Sequence, residues 1–121
     1  NIKELSNASV DKETGVKLIQ MTGDSDISVF AAEIAPNTEL KPHFHKKGIE
    51  TYQVLEGNGV MRVGNFIDNS ANWTESFEAK KGDCFSIPAN MVHQIINKSE
   101  KSLRMIFTCP SDHKGEDRYF I

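Results

Sequence analysis

The sequence predicts an all-β domain, a sandwich or a barrel. Three observations support this. Apolar and β-branched residues gather in short runs rather than in long periodic stretches. Turn residues punctuate the chain about every 8–12 residues, the spacing of a sandwich or barrel. A helix is hard to place anywhere beyond the first few residues, IKELS.

Taken in order, residues 16–21 (VKLIQM) and 27–35 (ISVFAAEIA) read as strands, the second stopped by Pro36-Asn37. Residues 50–55 (ETYQVL) form a strand that ends at Glu56-Gly57-Asn58-Gly59, and residues 60–66 (VMRVGNF) form the next. The polar run IDNSANWTES at 67–76 is expected to be the longest loop. Residues 76–80, 84–87, 92–96 and 103–108 complete the strands, with turns at Lys81-Gly82-Asp83, Pro88-Ala89-Asn90 and Asn97-Lys98-Ser99-Glu100.

Composition narrows the function classes. The chain has 121 residues, the size of one domain. Lys and Arg number 14 against 17 Asp and Glu, a net charge of −3, so no basic excess exists to meet a phosphate backbone, and no nucleic-acid partner is expected. Hydrophobic residues at 38% suffice for a core. No run approaches the roughly 20 apolar residues of a membrane-spanning helix, so no membrane is expected. Two cysteines, Cys84 and Cys109, are too few for a disulfide framework and point to reduced thiols and a cytoplasmic location.

Three of the four histidines carry the chemistry. In PHFHKKGIE, His43 and His45 are two apart, so a strand would present both imidazoles on one face. Glu50 follows across Lys46-Lys47-Gly48, a gap that allows a turn into a neighbouring strand. His93 opens the later run VHQIIN. Three imidazoles and one carboxylate suit a divalent first-row transition metal ion, and the set is wrong for calcium. Each residue alone is more often an ordinary strand residue; the combination is what stands out. His113 falls in a polar stretch, SDHKGEDRYFI, expected to be a solvated segment, although its apolar ending suggests docking, for example on a partner subunit.

The spacing around these residues resembles the cupin superfamily. The first cupin motif runs through His43, His45, Glu50 and Gly57, within residues 37–57. Asn37 stands where the family usually has Gly. The second motif runs through Gly82, Pro88, Asn90, His93 and Asn97, residues 82–97, with Asn90 in place of Gly. Asn tolerates the left-handed backbone conformation in both places.

The resemblance implies one cupin domain over residues 1–121, an antiparallel jelly-roll β-barrel. It implies one metal ion on His43, His45, Glu50 and His93; iron, manganese, zinc, nickel, copper and cobalt all occur in the family. Four protein ligands leave open positions, as in a catalytic centre. A net +1 site suits a small oxygen-rich ligand. Strand parity from Glu50 turns Tyr52 and Val54 inward, making Tyr52 a candidate general acid. Arg62, Asn97, Met105 and Phe107 are candidate substrate-binding residues, with Phe30, Ile34 and Ile95 as further wall. The resemblance thus suggests a small metalloenzyme, oxygenase-like or isomerase/lyase-like, with a non-catalytic binding or sensing module as the alternative. A homodimer is expected, since many small cupins form one.

Overall fold

The computed structural model describes residues 1–11 and 15–121. A short 3₁₀ turn, Ile2–Asn7, precedes eleven strands among the described residues. They are β1 (Lys17–Gly23), β2 (Ile27–Ile34), β3 (Thr38–Glu39), β4 (His43–Phe44), β5 (Glu50–Glu56), β6 (Asn58–Ile67), β7 (Ser70–Lys80), β8 (Cys84–Ile87), β9 (Val92–Asn97), β10 (Leu103–Pro110) and β11 (Tyr119–Phe120). A second 3₁₀ turn, Ser111–Lys114, lies between β10 and β11.

The strands form two antiparallel sheets. One has the order β1-β2-β10-β5-β8, the other β11-β4-β9-β6-β7, with β3 also on β9. Alternation decides which residues meet between them. Ala32 and Ile34 of β2, Val54 of β5 and Met105 of β10 pack against Met61 and Val63 of β6 and Ile95 of β9 in one core. Burying each large apolar side chain contributes roughly 1.5–3 kcal/mol. This shared interior is all-β, as the alternating runs predict.

The motif turns adopt the backbone they need. Asn37 and Asn90 have φ of 54° and 68°, so both occupy the left-handed region where the family favours Gly. Gly57 has φ 83°, and a Cβ there would lie 2.5 Å from the Ser102 carbonyl oxygen. That position admits no side chain.

Two expectations are corrected. The polar run 67–76 is not a long loop. β6 and β7 pair without a break in the hairpin from Asn58↔Lys80 to Ile67↔Ser70, apart from one bulge at Val63/Gly64. Asp68 and Asn69, with φ 53° and 63°, make the two-residue turn. Alternation there is weak, with only half-buried Ala71 and Trp73 between exposed polar residues, so little in the run betrays a strand. The two-residue strands β3, β4 and β11 are also missing from the expected set. They are too short for a periodic signal and exist through pairing with distant segments.

Candidate metal centre

β4, β5 and β9 bring the histidines and the glutamate together. His43 pairs directly with His93 across β4 and β9, and Glu50 opens β5 in the facing sheet. The rings of His43 and His93 are 4.3 Å apart between centroids, and His45 lies 5.0 Å from His43. All four residues are at least nine-tenths buried. The donor atoms of His43, His45 and His93 lie within 4.8 Å of one another. Glu50 joins them through a 2.8 Å approach of its Oε2 to His45 Nε2.

Each ring is oriented by its other nitrogen. Nδ1 of His43 faces the Lys41 carbonyl at 3.2 Å, Nδ1 of His45 the Asp117 carbonyl at 2.6 Å, and Nδ1 of His93 the Met91 carbonyl at 3.0 Å. A carbonyl only accepts, so each Nδ1 carries a proton, and burial keeps His43 and His93 neutral with the Nε2 lone pair free. Nε2 of His45 and of His93 is buried without a hydrogen bond; the His45–Glu50 approach is close but misaligned for one. A buried polar atom without a partner costs about 1–3 kcal/mol, so such atoms call for an explanation. Converging imidazole lone pairs beside a carboxylate fit a transition-metal ion, with the backbone carbonyls in the supporting role usual for metal-bound histidines.

The protonation states agree. Burial pushes His43 down to about 3, reinforced by His93. Burial also lowers His93. Burial alone would raise the Glu50 carboxyl, but the neighbouring histidines, His113 first, hold it well below the usual carboxylate range. Neutral imidazoles and an ionised carboxylate are the ligand forms metals require.

A cavity of about 60 Å³ adjoins this cluster. That is room for about two waters at liquid density. One end is the His–Glu cluster, and the walls are mostly apolar, including Ile34, Leu40, Met61, Ile95, Met105 and Phe107. Lys114, Arg118 and Asp11 also line it, and Arg118 Nη1 lies 2.7 Å from Asp11 Oδ2.

The structure sorts the remaining candidates. Tyr52, Met105 and Phe107 line the cavity. The Tyr52 hydroxyl donates to Glu50 Oε1, and burial, with Glu50 close by, raises that phenol well above its ordinary value. Tyr52 therefore holds its proton. Arg62 is not at the cavity: Met61 takes the inward position, and Arg62 on the opposite face stacks 4.2 Å over Trp73 and donates to Gln94. Asn97 is fully buried but outside the cavity. Its Nδ2 serves the carbonyls of Ile34, Ala35 and Lys101, and its Oδ1 accepts from Ser99, which makes it a turn anchor. Phe30 stacks behind Phe107 rather than lining the wall. Cys84 is exposed and does not line the cavity, and burial pushes Cys109 up to about 12, so Cys109 is not an activated thiol.

His113 corrects the sequence reading outright. It is 3% exposed, not solvated, and its ring stacks on His45 with centroids 4.0 Å apart. Nε2 donates to the Lys47 carbonyl, and Nδ1 lies 3.4 Å from Glu50 Oε2. Burial would lower its pKa, but the Glu50 carboxylate, the Lys47 carbonyl and Asp117 together raise it. The tail beyond it docks on its own chain, with Tyr119 and Phe120 pairing Phe44 and His43. Sequence pattern could not place His113; the apolar ending at Tyr119-Phe120-Ile121 was the only signal that the segment docks at all.

Comparison with known proteins shows the family and the fold. A family model described as the cupin domain matches residues 30–109. A germin-like protein of Oryza sativa subsp. japonica is 28% identical over 112 residues, covering 91% of this chain and 51% of its own. The chain thus spans about half the length of that relative. A Klebsiella pneumoniae protein with a double-stranded β-helix domain superposes with a TM-score of 0.72 at 18% identity, over 99% of this chain and 93% of that one. An oxalate oxidase superposes with a TM-score of 0.71 at 20% identity, over 98% of this chain and 61% of that one.

Proposed function

The chain belongs to the cupin domain family, and on that premise we propose that it is a metal-dependent cupin acting on a compact, oxygen-chelating small molecule. His43, His45, Glu50 and His93 would hold one divalent transition ion. The observation that carries the reading is the set of three Nδ1–carbonyl contacts, which aim imidazole lone pairs into one buried space beside a carboxylate. A bound ion supplies Lewis acidity or an oxygen-binding centre. The reaction class is then oxygenase-like or isomerase/lyase-like.

The chain's own residues define the rest. Glu50 is held by Tyr52 through Oε1, so the carboxylate is oriented before any ligand arrives. Tyr52 keeps its proton, and with that one proton on Glu50 Oε1 its role is to orient the carboxylate. The apolar walls sharpen the ligand: a chelating oxygen pair at the histidines and an apolar body against Met61, Met105 and Phe107. The fold likeness to an oxalate oxidase supports a ligand of this small size. The two free thiols support a reducing, cytoplasmic setting, and a single domain assembling as a homodimer completes the proposal.

Elemental analysis of protein purified without chelator tests the centre. One equivalent of a first-row metal is expected, and none in the His45→Ala/Glu50→Ala double variant. A full equivalent retained by that variant sinks the assignment. Calorimetry with a short 2-oxo acid is expected to show tighter binding to the metal-loaded protein than to the stripped form. Equal binding to both would remove the chelation argument.

A further inference from the structure

The segment after β10 reaches back to the loop between His45 and Glu50 and holds it from several sides. The Asp117 carboxylate accepts from the backbone N–H of Lys46 at 2.7 Å and of Lys47 at 2.9 Å. The Asp117 carbonyl accepts from His45 Nδ1. His113 donates to the Lys47 carbonyl and presents its other nitrogen to Glu50 Oε2. Gly48, at φ 72°, lies so close to Pro110 that a Cβ would sit 2.6 Å from its Cγ. Asp117 is itself 6% exposed, and its N–H returns to the Asp112 carbonyl at 2.9 Å.

We propose that residues 110–117 form a brace that sets the affinity of the metal centre, with His113 as the positioning residue for Glu50 and Asp117 as the anchor of the His45–Glu50 loop. The inference rests on the metal reading above. Its physical basis is preorganisation. Glu50 is gripped on both carboxylate oxygens, Oε1 by Tyr52 from its own strand and Oε2 by His113 from the brace. His45 has its tautomer and ring direction set by the Asp117 carbonyl, and its ring face is covered by His113. Two of the four ligands thus depend on a segment some seventy residues away in sequence. Removing such outer partners typically weakens metal binding about 10–100-fold. Coupling is reciprocal: if the brace tightens metal binding, metal must tighten the brace.

The test is Co²⁺ titration of the metal-stripped full chain, read by its visible absorption bands against a competing chelator. His113→Ala and Asp117→Ala are expected to lose about 10–100-fold in affinity and to shift those bands. His113→Gln, which keeps a donor near Glu50, is expected to recover most of the loss. Asn97→Ala, which weakens the fold far from the brace, is expected to bind Co²⁺ as the wild type does. Hydrogen exchange on the unmodified protein gives a reading that needs no variant: Co²⁺ is expected to slow the Gly115 and Asp117 amides. Wild-type affinity in both alanine variants, or exchange at these amides unchanged by Co²⁺, overturns the brace while leaving the metal centre standing. No Co²⁺ binding by the wild type overturns both.

Discussion

Two connections in this fold are built on opposite principles. The β6–β7 turn at Asp68-Asn69 is made by its own residues, two left-handed backbones closing a two-residue hairpin. The connection between His45 and Glu50 is made by others: its N–H groups and carbonyl are satisfied by Asp117 and His113. The first turn only has to reverse the chain. The second has to hold two ligand side chains in register, and local turn chemistry lacks the reach to do that. The difference teaches that a chain reversal can be made by its own residues, while the site's geometry is set from a distance.

Acidification should separate the two regions most strongly. His43 has a folded pKa of about 3 against an ordinary 6.5, so the unfolded chain binds the extra proton first. Stability of the metal-free protein is therefore full above about pH 6.5 and falls as pH drops from there towards 3, by up to about 5 kcal/mol from this residue. His93 acts in the same direction. His113, whose pKa is raised, acts oppositely, stabilising at low pH and losing its contribution as pH rises through its folded value. Urea melts across this range, with His43→Phe as control, check the sign. A flat profile in the metal-free wild type would contradict the buried neutral imidazoles.

Asn97→Ala should come next. It strands three carbonyl acceptors and removes a turn anchor, at a cost of about 3 kcal/mol. The loss should appear in the melting midpoint and not in metal content. Gly48→Ala is expected to cost about 2 kcal/mol, because the new methyl meets Pro110 in a left-handed backbone. Unlike Asn97→Ala it should also lower metal affinity, since it strains the braced loop. Asn69→Ala is expected to cost about 1 kcal/mol and Asn69→Gly almost nothing, with metal binding unchanged in both. Arg62→Ala, which loses a stacking contact on Trp73 at the outer face, is expected to cost about 0.5–1 kcal/mol. If Asn69→Ala weakened metal binding as much as Gly48→Ala does, the contrast between the two connections would collapse.

Much of the molecule is legible in the chain because its determinants are short-range. The strands β1, β2, β5, β8, β9 and β10 show as apolar runs, since each has a face in the core. The His-x-His pair, the Glu that opens the next strand and the turn residues Asn37, Gly57, Gly82 and Asn90 stand at spacings that reflect strand pitch and turn conformation. Tyr52 follows from Glu50 by parity alone. Arg62 and Asn97 were misplaced as pocket candidates for different reasons. The inward face of β6 could not be assigned without knowing its partner, and Asn97, which parity does put on the His93 face, stands at the end of β9 beyond the cavity.

The sequence by itself therefore determined the fold class, the family motifs and the four candidate ligands, because alternation, left-handed turns and ligand spacing act over a few residues. Tertiary structure decided that a polar tail is a brace. His113 reads as solvated in its own context and is 3% exposed in the fold. What changes its character is desolvation against His45 and Glu50, contacts that exist only once β10 delivers the chain back to the cavity mouth. A charge's meaning depends on what faces it, and for residues 110–117 that partner is roughly seventy positions away.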